Sequence, residues 1–237
     1  MAKHKVLSTK KLEPSLIEKA KENNIEIIEQ EFISVKPIWS EEKFQEIFQF
    51  FQKPYAVFTS ANAVAVVDDY LHPHDTFYIL NWKIFCLSGK TKKAVLKTLI
   101  LPKEVVGEAE NASALAKKII EQHVKEVVFF CGNRRREELP SILKDGGVVV
   151  HEVVVYENTE TPIVVNDDFD AVLFFSPSAV QSFFSVNQLK KKTVCFAIGN
   201  TTKHSIAPFT NNQIITSIAP GQYETLEEVI EYFNKKH

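Results

Sequence analysis

The chain has 237 residues, enough for one large α/β domain or two small ones with real cores. Lys plus Arg number 28 against 30 for Asp plus Glu, which excludes a global field that would gather nucleic acid or an anionic membrane, so any anion must be held locally. Three cysteines, Cys86, Cys131 and Cys195, all lie inside apolar runs; an odd, buried set belongs to a reducing compartment rather than to a disulfide frame.

In chain order, "MAKHKVLSTKKLEPS" opens with a strand at 5–9 and lacks an apolar stretch suited to a signal peptide. No later stretch approaches a membrane span, so a soluble, cytoplasmic protein is expected. A helical pattern follows at 15–24 ("SLIEKAKENN") and a strand at 25–30, after which "EFISVKPIW" (31–39) continues without an intervening helix. Strands are expected at 55–60, 83–88, 104–108 and 126–132, with a helical pattern "SALAKKIIEQH" at 113–123. "VVVHEVVVYENTETP" (148–162) is too long and too interrupted by polar residues to be one buried strand. The last strands are expected at 170–176, 193–199 and 213–217, before the helical "TLEEVIEYFNKK".

Most of these strands are continuous apolar runs, as strands covered on both faces should be. Alternation of such runs with amphipathic segments predicts parallel sheets with right-handed crossovers. The strands are too many for one sheet in a chain of this length. Two α/β domains are therefore expected, with the two exceptional segments as a paired two-strand linker at about 31–38 and 150–160. The first domain would be discontinuous (1–34 plus 160–237), and the second (38–154) inserted into it.

An internal repeat agrees with that division. "FTSANAVAVV" (58–67) lines up with "FFSPSAVQSF" (174–183), and "CLSGKTKK" (86–93) with "AIGNTTKH" (197–204). Each copy sits where a parallel strand hands over to a helix, leaving backbone N–H groups unpaired. Ser60 and Ser176 suit N-caps and Pro177 the first helical position, so capping alone accounts for any single turn. Four such turns in two domains would accept anions at the carboxyl ends of the strands.

Other chemistry has little to rest on. "SGKTKK" (88–93) lacks the upstream glycine of a phosphate loop, whose place is taken by Ile84. His72 and His74 in "LHPHD" have no Cys or carboxylate cluster to complete a metal site. No dinucleotide fingerprint, nucleophile elbow or calcium loop is present. The run "VFFCGNRRREELPSIL" poses a sharper question, because three arginines follow a strand directly and must either form a solvated helix face or hold an anion.

"VFTSANAV", "CGNRRREELPSILKDGG", "VVVYENTETP", "FFSPSAV" and "AIGNTTKHSI", in this order, resemble the uroporphyrinogen-III synthase family. The resemblance spans most of the chain from about residue 55 onward, and "VLSTK" echoes the family's first strand. It implies two flavodoxin-like domains joined by a two-stranded β linker, with the active site in the cleft between them. It also implies a substrate, hydroxymethylbilane, which is a linear tetrapyrrole with eight carboxylates. The reaction is dehydration and cyclisation with inversion of ring D through a spiro-pyrrolenine, needing neither metal nor organic cofactor. A small-molecule substrate, no nucleic-acid or membrane partner and a monomeric state are expected. A two-domain protein that binds tetrapyrrole or another anion without turning it over is the alternative.

The resemblance also places residues. Thr59, Ser60, Asn62, Gly89, Thr91, Asn133, Ser176, Ser178 and Thr202 are expected along the cleft. Arg136 matches the arginine that recurs four residues after the glycine of its turn, and suits bidentate carboxylate binding; a salt bridge to Glu137, Glu138 or a neighbouring element is the competing reading. Arg134 and Arg135 have no such match and are expected on the surface. Lys10 stands where the family often has arginine. Where the family often has threonine three residues after the glycine, this chain has Thr202 in one repeat but Lys92 in the other, with Thr91 one place early. A lysine there suits a carboxylate. Tyr156 is the matched tyrosine of the linker region, and a phenol, protonated at neutral pH, suits donation to the departing hydroxyl. Packing within a β linker is the competing role.

Overall fold

The computed structural model describes residues 3–38, 40–72, 82–98, 101–102 and 104–235. Its elements begin with β1 (His4–Ser8), α1 (Pro14–Glu22), β2 (Ile25–Glu29), β3 (Ile33–Pro37), α2 (Glu41–Phe48), β4 (Tyr55–Phe58) and α3 (Ala61–Leu71). They continue with β5 (Lys83–Leu87), α4 (Lys90–Lys97), β6 (Val105–Ala109), α5 (Ala112–Glu121), β7 (Glu126–Gly132), α6 (Glu138–Asp145) and β8 (Val149–Glu160). The chain closes with β9 (Ala171–Phe174), α7 (Pro177–Phe184), β10 (Val194–Ala197), α8 (Asn200–Ile206), β11 (Ile214–Thr216) and α9 (Gln222–Lys235).

Residues 1–34 and 159–237 form one compact unit, and residues 35–158 the other. The sheet of the first runs β2-β1-β9-β10-β11, with parallel pairing throughout. The second runs β3-β8-β7-β4-β5-β6, parallel from β8 to β6. Counted from β1, the first sheet has the flavodoxin order 2-1-3-4-5. The second has the same order if β7 is counted first, so its polypeptide enters at the third position and supplies the first two last. The chain is thus two successive copies of one five-strand pattern, each giving its first two strands to one unit and its last three to the other. β3 lies on the outer side of β8, where Ile38 N–H donates to the Val155 carbonyl and Thr161 N–H to that of Phe32, both at 3.0 Å.

Alternation along each strand feeds two cores per sheet. In β9, Ala171 and Leu173 join the cluster with Val6, Leu16 and Phe196, whereas Val172 and Phe174 join Phe32, Val180 and Phe183. In β7, Val128 and Phe130 pack with Phe58 and Trp82, and Val127, Phe129 and Cys131 with Leu115 and Leu139. The three cysteines are buried and unpaired.

Several strands end two residues before their apolar runs do, because the final residues enter helix caps. Ser60 Oγ accepts from Asn62 N–H (3.2 Å), Asn111 Oδ1 from Ala114 N–H (2.9 Å) and Ser176 Oγ from Ala179 N–H (3.1 Å). Capping of this kind holds each turn at the carboxyl edge of its sheet. No described helix is long and apolar enough to cross a membrane.

Candidate active site

In the second unit the carboxyl edge carries a cavity of about 370 Å³. Its walls are the turns after β4 (Thr59, Ser60), β6 (Glu110, Asn111) and β7 (Arg135, Arg136), with Leu87 and Gly132 at the ends of β5 and β7 and Tyr156 of β8. The chemistry-bearing side chains therefore come from separate strand ends, the usual ligand position in parallel α/β sheets.

Tyr156 is only 7% exposed, yet its phenol reaches the cavity wall, where it donates to Ser60 Oγ at 3.1 Å. The ring can lie there because β8 pairs with β7 so that Tyr156 stands opposite Gly132, after a register shift between Cys131 and Gly132. Asn133 N–H donates to the Tyr156 carbonyl (3.1 Å), and Asn133 Oδ1 accepts from Asn158 N–H (2.9 Å). Asn133 thus anchors the backbone on both sides of the tyrosine.

The three arginines divide. Arg135, expected on the surface, is instead half-buried: its Nε donates to Glu152 and its Nη1 to Glu137 Oε1 at 2.7 Å. This corrects the sequence reading, and the reason is Glu152 on β8, which spacing along the chain does not reveal. Burial pushes the Glu152 carboxyl up, but the hydrogen bonds from Arg135 and Lys144 outweigh it and hold the group below the usual carboxylate range. Arg136, in contrast, is exposed on the cavity wall and has no ion pair among the described residues. Neither Glu137 nor Glu138 neutralises it. Arg134 is exposed.

The other expected positions are spread over both sheets. Asn62 is exposed in the first turn of α3. Gly89 precedes α4 with a φ of 72°, a conformation that glycine adopts without strain. Thr91 is buried, and Lys92 is ion-paired with Glu108 at 2.6 Å, which raises its pKa. In the first unit, Ser176 caps α7, Ser178 is half-buried beside it, and Thr202 is buried in α8. Lys10 is exposed after β1, its backbone carbonyl accepting from Ser8 Oγ (2.5 Å). His74 lies outside the described residues, and no cluster suited to a metal ion occurs among those described. Glu110 is a cavity residue that the sequence reading missed; only its position just before the Asn111 cap hinted at it.

The family model of uroporphyrinogen-III synthase HemD matches residues 14–221. The chain belongs to the uroporphyrinogen-III synthase family. Among solved structures it is similar to uroporphyrinogen-III synthetase from Helicobacter pylori 26695, with TM-score 0.72 and 16% identity over 97% of this chain and 99% of that one. It is also similar to a mutant uroporphyrinogen III synthase from Thermus thermophilus, with TM-score 0.64 and 11% identity over 99% of this chain and all of that one. At such identities these likenesses establish the two-unit α/β fold. No curated protein matches by sequence. As a uroporphyrinogen-III synthase, the chain is a cyclising lyase of tetrapyrrole biosynthesis, and the substrate of its family is hydroxymethylbilane.

Proposed function

We propose that Tyr156 is the general acid of the cyclisation and that Arg136 holds a substrate carboxylate beside it. The observation that carries this reading is the Tyr156–Ser60 hydrogen bond on a cavity wall shared with an unpaired guanidinium. Protonation of the terminal hydroxyl lets it leave as water, giving an azafulvenium cation on ring A. Ring D attacks through its substituted carbon, forming the spiro-pyrrolenine, which fragments and recloses inverted. When the phenol gives up its proton, the Ser60 hydroxyl can turn to donate to the phenolate. Ser60 Oγ stays fixed meanwhile by the Asn62 N–H it accepts.

Hydroxymethylbilane closes unaided to the uninverted isomer I, so the remaining task is to hold the chain in a conformation that favours the spiro route. The hydroxyl and amide groups at Thr59, Ser60, Asn62, Gly89, Ser176 and Ser178 suit that task, each at the carboxyl edge of its own sheet. Thr91 and Thr202, both buried, would meet the substrate only if their turns open. Lys10 supplies a cation after β1, and Lys92 acts through its pair with Glu108. The buried thiols without a disulfide support a cytoplasmic location, and a monomer remains the expected state. Incubation with hydroxymethylbilane should yield isomer III ahead of spontaneous closure. Isomer I alone, at the uncatalysed rate, would reduce the protein to a binder.

A further inference from the structure

An acidic side chain on the wall of a cavity meant for a substrate of eight carboxylates is out of place unless it meets positive charge. Glu110 is such a residue: it is exposed on the wall, and its carboxylate has no ion pair among the described residues. Glu138 also lines the cavity, in the first turn of α6 and two residues from Arg136. Glu110 stands on a different wall. β6 and β7 are separated by β5 and β4, three strand spacings or about 14 Å. No ion pair joins Glu110 and Arg136 among the described residues, and the cavity carries an anion and a cation on the turns of separate strands.

A substituted pyrrole has the matching polarity. Its acetate and propionate leave from the two ring carbons opposite the nitrogen, so a ring with its acids toward Arg136 turns its N–H toward the opposite wall. Once the hydroxyl leaves as water, the positive charge of the ring A cation rests largely on that nitrogen. We propose that Glu110 accepts the ring A N–H and stabilises the cation formed on loss of water. The inference rests on the reading of this cavity as the place where the hydroxyl departs. A carboxylate aimed at charge that appears only during reaction accelerates the chemical step rather than tightening binding.

Glu110→Gln keeps shape and acceptor and removes only the charge, and it leaves the Asn111 cap of α5 in place. With hydroxymethylbilane as substrate, kcat should fall about ten- to a hundredfold while KM stays level or drops, because repulsion of the substrate carboxylates is relieved. A merely structural residue would lower the melting temperature without this split. An unchanged kcat in a folded Glu110→Gln protein would overturn the proposal, whatever happens to KM. Tyr156→Phe measured alongside separates the two ideas. A loss of kcat in the glutamine variant alone ends the general-acid assignment and keeps Glu110, whereas a loss in the phenylalanine variant alone does the reverse.

Discussion

The backbone of Gly132 lies against the ring of Tyr156 so closely that a Cβ on the glycine would stand 2.5 Å from both Cε2 and Cζ and 2.9 Å from the phenolic oxygen. Gly132 cannot gain a side chain without moving the ring, and the phenol's contact with Ser60 depends on the fit. Gly132→Ala should therefore push the ring off its present position. Such overpacking should lower stability by about 1–3 kcal/mol. The kcat loss should exceed that expected from the fraction unfolded, as measured by melts and steady-state kinetics on one preparation.

Tyr156→Phe keeps the ring against Gly132 and deletes only the donor. Positioned general acids contribute about 10²–10⁴-fold, so kcat should fall by that order with little change in KM. A folded variant with near-normal kcat would leave the phenol as packing or as a substrate contact.

Arg136→Ala and Arg135→Ala should fail in different ways. If Arg136 holds a substrate carboxylate as proposed, equally in ground and transition states, its loss should raise KM about ten- to a hundredfold at unchanged stability. Loss of Arg135 strands part-buried Glu152 with only Lys144, 3.1 Å away, and should cost about 1–2 kcal/mol, less than for a fully buried pair. Thermal melts and substrate titrations distinguish the two.

Acid should unfold the protein partly through Glu152 and Glu126. Glu126 is held low by its hydrogen bond to Lys53 and, against burial, by His151. A carboxyl whose folded pKa is depressed adds stability above its unfolded value of about 4.3, and that stability is lost as pH falls through the folded value. The melting temperature should stay flat from neutrality to about pH 5 and decline below it. The decline should be shallower in Arg135→Ala, where Glu152 is depressed less.

Burial pushes the thiols of Cys86 and Cys131 up to about 11 and that of Cys195 to about 12. Since the thiolate is the nucleophile, iodoacetamide at pH 8 should label none of them in the native protein and all three in denaturant. Rapid labelling of native Cys131, which borders the cavity, would show that this wall opens.

Legibility followed the range of the interactions. Continuous apolar runs such as "EVVFFCG" (126–132) marked strands covered on both faces, and the serines and Asn111 marked turns, because these signals lie within a few residues of one another. α2 escaped notice although Ser40 caps it and Glu41 and Glu42 fill its first turn. The partnership of Arg135 with Glu152, the fit of Gly132 under Tyr156 and the place of Glu110 on the cavity wall all depend on strand register. Local spacing carries no register between distant strands, so it could not show that Arg135 is the arginine in the ion pair; Arg136 was set apart only by the family resemblance.

The sharing of each five-strand pattern between units also orders events during synthesis. β4 to β8 come from one uninterrupted stretch, so the second unit can close as soon as residue 158 has left the ribosome. β1 and β2 emerge first but stay without their central neighbour until β9 appears, since Val6 pairs with Ala171. A chain truncated near residue 160 and released would therefore carry one finished unit and an orphaned βαβ arm, an apolar edge exposed to chaperones. Cutting the gene between its two repeats would leave two fragments, neither able to build a complete sheet alone. Mixed together, they could fold only by reassembling each other.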